Sequence, residues 1–523
     1  MTTSFTRRNP LKRNQLDTST KTPRRFFPAP GGMRLSPEQE EALRRIAVAR
    51  TDPKSWGFTL SGYAGTGKTT TLSVYIRRLA ESGVRIAVSA PTNKATQVLK
   101  GQVSKGALGD MKNVQYGSIH KFLGFQMDDE EDGTQKKNWE RPPSLADFDV
   151  VIVDECSMVD EEIMDKTMQS KGAAFIIFMG DPYQLAPVRD KDAPRSSENA
   201  TSPSFQNRPG KGEYTLAKIV RQKGEHPIID LSVAIRESEA KGAMFDRAKL
   251  HAFMDHISDP RVFLVDRKDI PALAEQMIRQ SQEDGKAGLP VRIVAWRNVQ
   301  VEEYNTLLHS QLFGDTDQGC PFAPGERVLA HKEFQAPILG SASKYDPKTR
   351  QVVSRQGPID TRRIFTSEEC EVLSVARESH PDHPDVDAWL LELLRLEDGS
   401  KCWAYVPHSR RDFKILVAGL WDTYWDKRRE VDVAAKHASS SGGEIGALAK
   451  ACKRQPDHNK KLERDHAEIR HAYASTVHKA QGSTYDAVIV DLDDLGRMRD
   501  ASGYNRALYV AVTRASHQVA LAI

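Results

Sequence analysis

The chain has 523 residues, of which 39% are hydrophobic and 28% charged, and its formal net charge is +4. This length exceeds one ordinary core, so we expect two large folded units with insertions. The absence of an apolar run of about 18 residues predicts no membrane span, and five cysteines without paired metal spacing or disulfide density favour a reducing compartment.

The N-terminal tail, residues 1–32, concentrates the positive charge. It holds seven Lys or Arg and one Asp, so it carries +6 and the remainder of the chain −2. Its Thr, Asn and Pro content predicts disorder. It either adds nonspecific phosphate affinity, is a solvated tail without a role, or is an organelle transit peptide. Because the rest of the chain is slightly negative, any nucleic-acid site in the folded part must be a local groove.

The first folded segment reads as a helix followed by a βαβ unit. Ser36-Pro37 is a good helix opening. The order after it is a strand, a glycine loop, an amphipathic helix and a strand, at 58–61, 62–70, 72–79 and 84–89. This order predicts a parallel sheet.

Further strand-like runs continue this pattern. Residues 150–153 and 175–179 are apolar and end in Asp154-Glu155 and Gly180-Asp181. Parallel sheets bind ligands at the carboxyl ends of their strands, so these ends are candidate site positions. The runs at 291–296, 487–491 and 507–512 indicate a second α/β core.

Two insertions interrupt the cores. Residues 126–144 contain a polar acidic turn flanked by Phe125 and Trp139. Residues 331–470 mix short alternating strands with a charged helical stretch that Ser439–Gly443 interrupts. We interpret the second insertion as a β-barrel-like module with a helical arm.

The glycine loop fits the phosphate-binding pattern G-x-x-x-x-G-K-[ST] between a strand and a helix. Its glycines let backbone N–H groups surround phosphate oxygens, Lys68 adds charge at the β and γ phosphates, and the helix N-terminus is positive. The predicted phosphate-binding residues are Gly62, Ala64, Gly65, Thr66, Gly67, Lys68, Thr69 and Thr70.

The acidic pair supplies the other half of a hydrolysis site. Asp154 at a buried strand end, with the Thr69 hydroxyl, is predicted to hold Mg²⁺, and Glu155 to accept a proton from the attacking water. The alternative is an ordinary exposed acidic pair. Four apolar residues deliver this pair to a strand end, which disfavours that reading.

Three further side chains are candidates to sense or stabilise the γ phosphate. Gln184 follows Gly180-Asp181 and can orient water or read the phosphate. Arg221 and Arg514 carry planar guanidinium groups that suit a transferring phosphoryl group. Taken alone, Gln184 would be a solvated turn residue and each arginine a surface ion pair.

Together, these segments resemble the helicase motifs of superfamily 1, B-type, in the Dda-like group, with RecD-like and Pif-type enzymes as neighbours. The resemblance spans Leu35 to Ala515. The segments that carry it are Leu35–Gln39, Gly62–Thr69, Ala90–Ala95, Ser118–Gly124, Asp154–Val159, Gly180–Val188, Arg221-Gln222, Thr476–Thr484 and Leu508–Ala515.

The resemblance implies an α/β fold of two RecA-like P-loop NTPase domains with ATP between them. On that basis, domain 1A would cover 33–190 with a pin hairpin at about 126–144. Domain 2A would cover 191–330 and 471–523, and an SH3-like barrel with a helical arm would occupy 331–470. The resemblance also implies that Gln39 reads the adenine edge and that Gly482 lies at the nucleotide.

The DNA contacts follow from the same resemblance. The predicted DNA-binding residues are Thr92, Asn93, Lys94, His120, Lys121, Thr476 and His478. Each could instead cap a helix or form a turn, and both histidines could be structural. Phe125 or Trp139 could stack on the last base pair at a fork, or either could belong to the core.

The predicted function is an ATP- and Mg²⁺-dependent DNA helicase that moves 5′ to 3′ and acts in replication, recombination or repair. We expect a cytoplasmic monomer of a bacterial or phage-infected cell that acts on single-stranded and forked DNA, with a single-strand-binding or replisome protein as a candidate partner. The alternatives are a translocase that mainly displaces proteins, a RecD-like subunit of a repair complex, and an interaction protein with a degenerate ATPase.

Overall fold

A computed structural model describes most of the chain from Leu35 onward. The described residues are 35–91, 96, 99, 101, 111–129, 135–138, 144–187, 201–219, 226–283, 291–314, 319–338, 344–346, 351–354, 360–396, 398–437, 455–498 and 500–523. Only the backbone is described for 126–129, 135–138, 282–283, 344–346, 351–354, 360, 432 and 434–437. The predictions for the tail and for Thr92, Asn93, Lys94, Trp139 and Arg221 lie outside the described residues.

The first lobe is built on a six-stranded sheet. Its strands are β1 (Gly57–Gly62), β2 (Ile86–Ala90), β3 (Val114–Ser118), β6 (Val150–Val153), β7 (Phe175–Gly180) and β8 (Lys211–Leu216), with a hairpin of β4 (Gln126–Asp129) and β5 (Gln135–Asn138) between β3 and β6. The sheet order is β3-β2-β6-β7-β1-β8, and all neighbours run parallel. Its helices are α1 (Pro37–Thr51), α2 (Lys68–Glu81), α3 (Ile119–Phe122) and α4 (Glu161–Ser170).

Local sequence signals explain where the first lobe's elements begin. The Ser36 hydroxyl accepts the N–H of Gln39, and the Gln39 side chain accepts the N–H of Ser36, which is a complete capping box for α1. β6 and β7 are buried along their whole length, as expected for central strands of a parallel sheet covered on both faces. The predicted parallel α/β sheet is confirmed.

The second lobe has a five-stranded parallel sheet whose strands come from two distant parts of the chain. Its first part contains β9 (Val262–Val265), β10 (Arg292–Ala295), α5 (Pro227–Ala240), α6 (Arg247–Asp255), α7 (Ile270–Glu283) and α8 (Asn298–Phe313). The remaining strands and helices follow the insertion.

Short 3₁₀ turns lie in both lobes, at Leu145–Asp147, Cys156–Met158, Pro203–Phe205 and Arg267–Asp269.

The described part of the insertion forms an antiparallel sheet with two helices. Its strands are β11 (Arg327–Ala330), β12 (Phe334–Ile338), β13 (Lys344–Asp346), β14 (Gln351–Ser354), β15 (Asp360–Ile364), β16 (Glu369–Arg377), β17 (Ala388–Arg395), β18 (Lys401–Pro407) and β19 (Ile469–His471). Seven strands pair in the order β15-β12-β18-β17-β16-β11-β19, and β13 and β14 pair separately. The helices are α9 (Arg410–His437) and α10 (455–465).

The chain then returns to complete the second lobe. The last elements are β20 (Ala474–Thr476), α11 (Val477–Ala480), β21 (Tyr485–Asp491), α12 (Leu492–Leu495), α13 (Ala501–Thr513) and β22 (Ala515–Ala522). The second sheet has the order β20-β10-β21-β22-β9, again parallel throughout. No helix in the described ranges is both long and apolar enough to cross a bilayer.

The predicted domain boundaries need correction. Strand β8 pairs in parallel with β1 along its whole length, so the first lobe continues past residue 190. Strands β11 and β19 pair with each other, so the insertion's sheet begins before residue 331 and ends after 470. The sequence did not show these limits, because each depends on pairing between strands that are distant along the chain.

Candidate nucleotide-binding site

The phosphate loop between β1 and α2 has the backbone that its glycines predict. Gly65 and Gly67 have φ of +81° and +78°, a region that L side chains rarely adopt. A Cβ on Gly62 would meet the Thr66 hydroxyl at 2.8 Å. Helix α2 begins directly at Lys68, so its first N–H groups face the loop. This is a built cradle for an anion.

Polar side chains hold the loop in shape. The Lys68 ammonium donates to the carbonyls of Gly62 and Tyr63, at 2.6 and 3.1 Å. The buried Gln39 side chain donates to the Thr66 carbonyl at 3.1 Å. Gln39 therefore joins α1 to the loop, because its amide nitrogen donates to Thr66 while its amide oxygen accepts the N–H of Ser36 at the start of α1. That it reads adenine stays a prediction.

Asp154 and Glu155 follow the buried strand β6. Asp154 is 9% exposed, and its carboxylate accepts the N–H of Glu155 at 2.7 Å. Burial and the neighbouring Glu155 charge raise the pKa of Asp154 to about 7, against the opposing effects of that hydrogen bond and the Lys68 charge. Glu155 has a φ of +50°, a strained conformation for a residue with a side chain. Such strain is typical of functional sites.

Gln184 is buried and is joined to the second lobe. The Gln481 amide donates to Gln184 Oε1 at 2.8 Å and to the Ser157 hydroxyl at 3.2 Å. Gln481 comes one residue after α11 of the second lobe. One side chain thus links the segment after β7 and the segment after β6 to the opposite lobe.

Tyr509 of α13 makes a second connection across the lobes. Its hydroxyl donates to the buried Asp181 carboxylate at 2.6 Å and accepts the N–H of Ala64 at 3.0 Å. Burial and the Asp181 charge raise the pKa of Tyr509 well above its usual value. The phosphate loop is therefore bonded directly to a helix of the other lobe.

Arginines of the second lobe lie on both sides of this connection. Arg506 donates to the carbonyls of Pro182 and Gln184, and the Arg236 guanidinium lies 3.7 Å from the centre of the Tyr63 ring. Arg514, a predicted γ-phosphate residue, is buried and donates to the carbonyls of Val510 and Ser483.

Arg514 is thus held beside Gly482 by atoms of its own lobe. Its approach to a γ phosphate stays a prediction.

The predicted DNA contacts that the structure describes lie on two short helices, one in each lobe. His120 and Lys121 are on α3, whose cap Ser118 accepts the Lys121 N–H at 3.3 Å. Thr476 caps α11 in the same way, through the Lys479 N–H at 3.4 Å, and His478 follows. Thr476 therefore does act as a helix cap. Phe125 contacts the His120 ring, so it lies beside α3.

Comparisons with known proteins agree with this geometry. The AAA domain family matches residues 34–259, and the UvrD-like helicase C-terminal domain family matches residues 471–522. The ATP-dependent DNA helicase dda of Enterobacteria phage T4 is 23% identical over 507 residues, which is 93% of this chain and 98% of that protein. The resemblance to the Dda-like helicases of superfamily 1 is confirmed.

Other relatives of the superfamily 1 group match a part of their length. The RecBCD enzyme subunit RecD of Buchnera aphidicola is 34% identical over 166 residues, and the chain spans about a quarter (26%) of it. A solved Pif1 helicase from Candida albicans overlaps 94% of both chains at 17% identity and a TM-score of 0.47, too loose an overlap to assign residues.

Five residues of the site had no role assigned from the sequence, which marked one of them, Asp181, only as a strand-end position. They are Tyr509, Asp181, Gln481, Arg506 and Arg236. Four of them lie inside or beside superfamily 1 motifs that the sequence shows, but their roles depend on contacts between lobes. One signal was available: Arg506, Tyr509 and Thr513 share a face if 501–513 is helical. Arg236 carries no local signal, since it is one arginine in an ordinary helix.

Proposed function

We propose that the chain is an ATP-driven helicase that moves 5′ to 3′ along single-stranded DNA and unwinds duplexes. The observation that carries this proposal is the Tyr509 hydroxyl, which joins the phosphate loop of one lobe to Asp181 and to a helix of the other. A nucleotide at this loop would touch the seam between two lobes. Its binding and hydrolysis would therefore change how the lobes sit together.

The site residues suit phosphoryl transfer to water. The loop glycines and Lys68 hold the phosphates, Glu155 accepts a proton from the attacking water, and Gln184 orients that water. Arg514 and Arg221 stabilise the transferring phosphoryl group. The hydroxyl of Thr69 and the buried carboxylate of Asp154 are oxygen donors of the kind that Mg²⁺ prefers, and a bound cation would favour the ionised carboxylate. When bound, Mg²⁺ neutralises phosphate charge.

The architecture supports two RecA-like domains with inserted modules. The two parallel sheets would be domains 1A and 2A, and the antiparallel sheet with α9 and α10 would be the SH3-like module and its arm. The hairpin of β4 and β5 would be the pin, with Phe125 at its base beside α3. Phe125 or Trp139 would then meet the last base pair at a fork.

The strand would run across α3 and α11, one in each lobe. These short helices present His120 and Lys121 on one side and Thr476 and His478 on the other. Motor proteins that step along DNA grip phosphates and stack bases without reading sequence. Because the two helices lie on separate lobes, opening and closing of the cleft would move one grip relative to the other.

The names of similar proteins favour DNA as the track. The T4 phage protein and the RecD2 protein of Deinococcus radiodurans are both described as ATP-dependent DNA helicases. The T4 protein is matched over 98% of its length. A helicase similar to the T4 protein is therefore a better proposal than a subunit of a RecD-type complex.

Strand displacement on three substrates tests this proposal. Forked, 5′-tailed and 3′-tailed duplexes are incubated with the chain, with and without ATP. We expect forked and 5′-tailed duplexes to be unwound when ATP is present and to stay intact when it is omitted. Unwinding of 3′-tailed duplexes would reverse the polarity. Hydrolysis without unwinding, together with removal of a protein bound to the strand, would instead support a translocase that displaces proteins.

A further inference from the structure

A cluster of histidines lies in the insertion, where α10 meets the antiparallel sheet. His380 and His383 follow β16, Asp465 ends α10, and His466 comes directly after it. Ligand atoms of His380, His383 and Asp465 lie within 4.8 Å of one another. His383 Nε2 is 3.1 Å from the Asp465 carboxylate. None of these residues belongs to the proposed nucleotide or DNA site.

His466 adds a fourth donor with the right ring chemistry. Its ring centre is 5.4 Å from that of His383 and 6.0 Å from that of His380. Nδ1 is 2.9 Å from the Leu462 carbonyl, which can only accept, so Nδ1 carries the proton. Nε2 therefore presents a lone pair, and it is buried without a hydrogen-bond partner. Histidine ligands of metals commonly donate their other ring N–H to a carbonyl in this way.

We propose that His380, His383, Asp465 and His466 bind one Zn²⁺ ion, which fastens the end of α10 to the antiparallel sheet. Three imidazoles and one carboxylate are the types of donor that zinc takes in four-coordinate sites. The ligands come from two segments about 80 residues apart, so the ion closes a long loop of the chain. The site is independent of the proposed helicase activity.

The surroundings favour an ion over a hydrogen-bonded cluster. A second group of this kind exists at His309, Glu326 and His471. There, Glu326 Oε1 already accepts hydrogen bonds from Nδ1 of both histidines and from the Tyr473 hydroxyl, at 2.6 to 3.0 Å. That carboxylate is satisfied by three donors, whereas the buried Nε2 of His466 has no partner.

His380 is the ligand that must adjust most. Its Nδ1 accepts the N–H of Asp382 at 3.1 Å, so in the neutral ring Nε2 carries the proton and the lone pair of Nδ1 is already used. The ring must give up this hydrogen bond to bind the ion. The ring also packs edge-on against Tyr405 at 4.7 Å. His383 and Asp465 are already at ligand-to-ligand distance. We therefore expect His383 and Asp465 to matter most for affinity and His380 least.

A zinc titration of the full chain tests the site. The protein is purified without a histidine tag, stripped with a chelator and titrated with ZnCl₂ against a chromophoric chelator. We expect one ion per chain. His383→Ala and Asp465→Asn should each weaken binding on the order of 100-fold, and His380→Ala less. The control is His251→Ala, an exposed histidine on α6, which should bind zinc like the wild type.

Two further measurements keep the result decisive. Asp465→Asn preserves shape, so an unchanged circular dichroism spectrum with lost zinc separates binding from misfolding. Co²⁺ should give the visible absorption of a tetrahedral site in the wild type and lose it in His466→Ala. Absence of stoichiometric zinc in the wild type, or zinc retained in His383→Ala but lost in Glu326→Gln, would overturn the proposal.

Discussion

The two lobes carry the same local structure at one edge of their sheets. In each lobe an edge strand ends in a hydroxyl cap followed by an aliphatic residue, His and Lys, at 118–121 and 476–479. Their surroundings differ. Lys121 is exposed, whereas the Lys479 ammonium lies 3.0 Å from His331 of the insertion. Equal motifs therefore need not contribute equally to the proposed DNA binding, because the large insertion lies in the second lobe.

The lobes also divide the chemistry. The first lobe supplies the phosphate loop and the acidic pair, all from residues that are close to the ends of β1 and β6. The second lobe supplies side chains that reach across, from α13 and the end of α11. Under the proposed function, the first lobe binds the nucleotide and the second lobe senses it.

Removing the positive charge that the first lobe places at the phosphates should have the largest effect. Lys68→Ala should lower ATP hydrolysis at least about 100-fold, since a positioned charge at the phosphates is lost, and should abolish unwinding. Single-strand affinity should remain, because both α3 and α11 are intact. Steady-state ATPase and fluorescence anisotropy measure the two. Lys54→Ala, an exposed control in the same lobe, should behave as wild type; normal hydrolysis in Lys68→Ala would refute the site.

The second largest effect should come from weakening the attachment of the insertion to the second lobe. Glu326 is fully buried. Burial alone would raise its pKa, but hydrogen bonds from His309 and His471 outweigh burial and hold it at about 2 instead of 4.5. This difference corresponds to about 3 kcal/mol. Because the folded pKa is the lower one, the stabilisation is complete above pH 4.5 and is lost as the pH falls toward 2.

Glu326→Gln should therefore destabilise the second lobe and its insertion by about 3 kcal/mol at pH 7, and by less at pH 3.5. Urea unfolding at both pH values measures this, and the unfolding of the first lobe should not change. Glu333→Gln removes a half-exposed carboxylate near Arg363 and should cost under about 1 kcal/mol. An equal loss at both pH values would contradict the role of the Glu326 charge.

The connection between the lobes should give an intermediate effect. Tyr509→Phe removes one hydroxyl and leaves Asp181 buried without that donor, at a cost of about 1–3 kcal/mol. The closed arrangement would be less populated, so we expect ATP turnover to fall about tenfold. The matched control is Tyr504→Phe, a buried tyrosine of the same helix. Equal turnover in the two variants would show that the hydroxyl does not couple the lobes.

The smallest expected effect is a difference in single-strand binding between variants of the two matching helices, α3 and α11. Lys121→Ala should weaken single-strand binding about threefold. It should also lower the slope of log affinity against log salt concentration by about one released ion. Lys479→Ala should change both less, because that ammonium already has a partner and burial lowers its pKa. Anisotropy titrations at several salt concentrations measure both. Identical slopes for the two variants would contradict the expected difference between α3 and α11.

The sequence by itself predicted the elements whose signals are local. The phosphate loop, the strand before Asp154 and the cap of α1 depend on residues a few positions apart, and they are present as predicted. The resemblance to a helicase family followed from the same short segments. Local backbone geometry and hydrogen bonds within one turn determine such features, so the order of residues is sufficient.

Tertiary structure decided what lies far apart along the chain. Strand β8 joins the first sheet beside β1, and Tyr509 reaches Ala64 across 445 positions. The histidines of the insertion meet only after α10 folds back. Strand pairing uses backbone groups that every residue shares, and a buried tyrosine looks like core in a sequence. Only the packed fold shows which hydroxyl, carboxylate or imidazole has a partner.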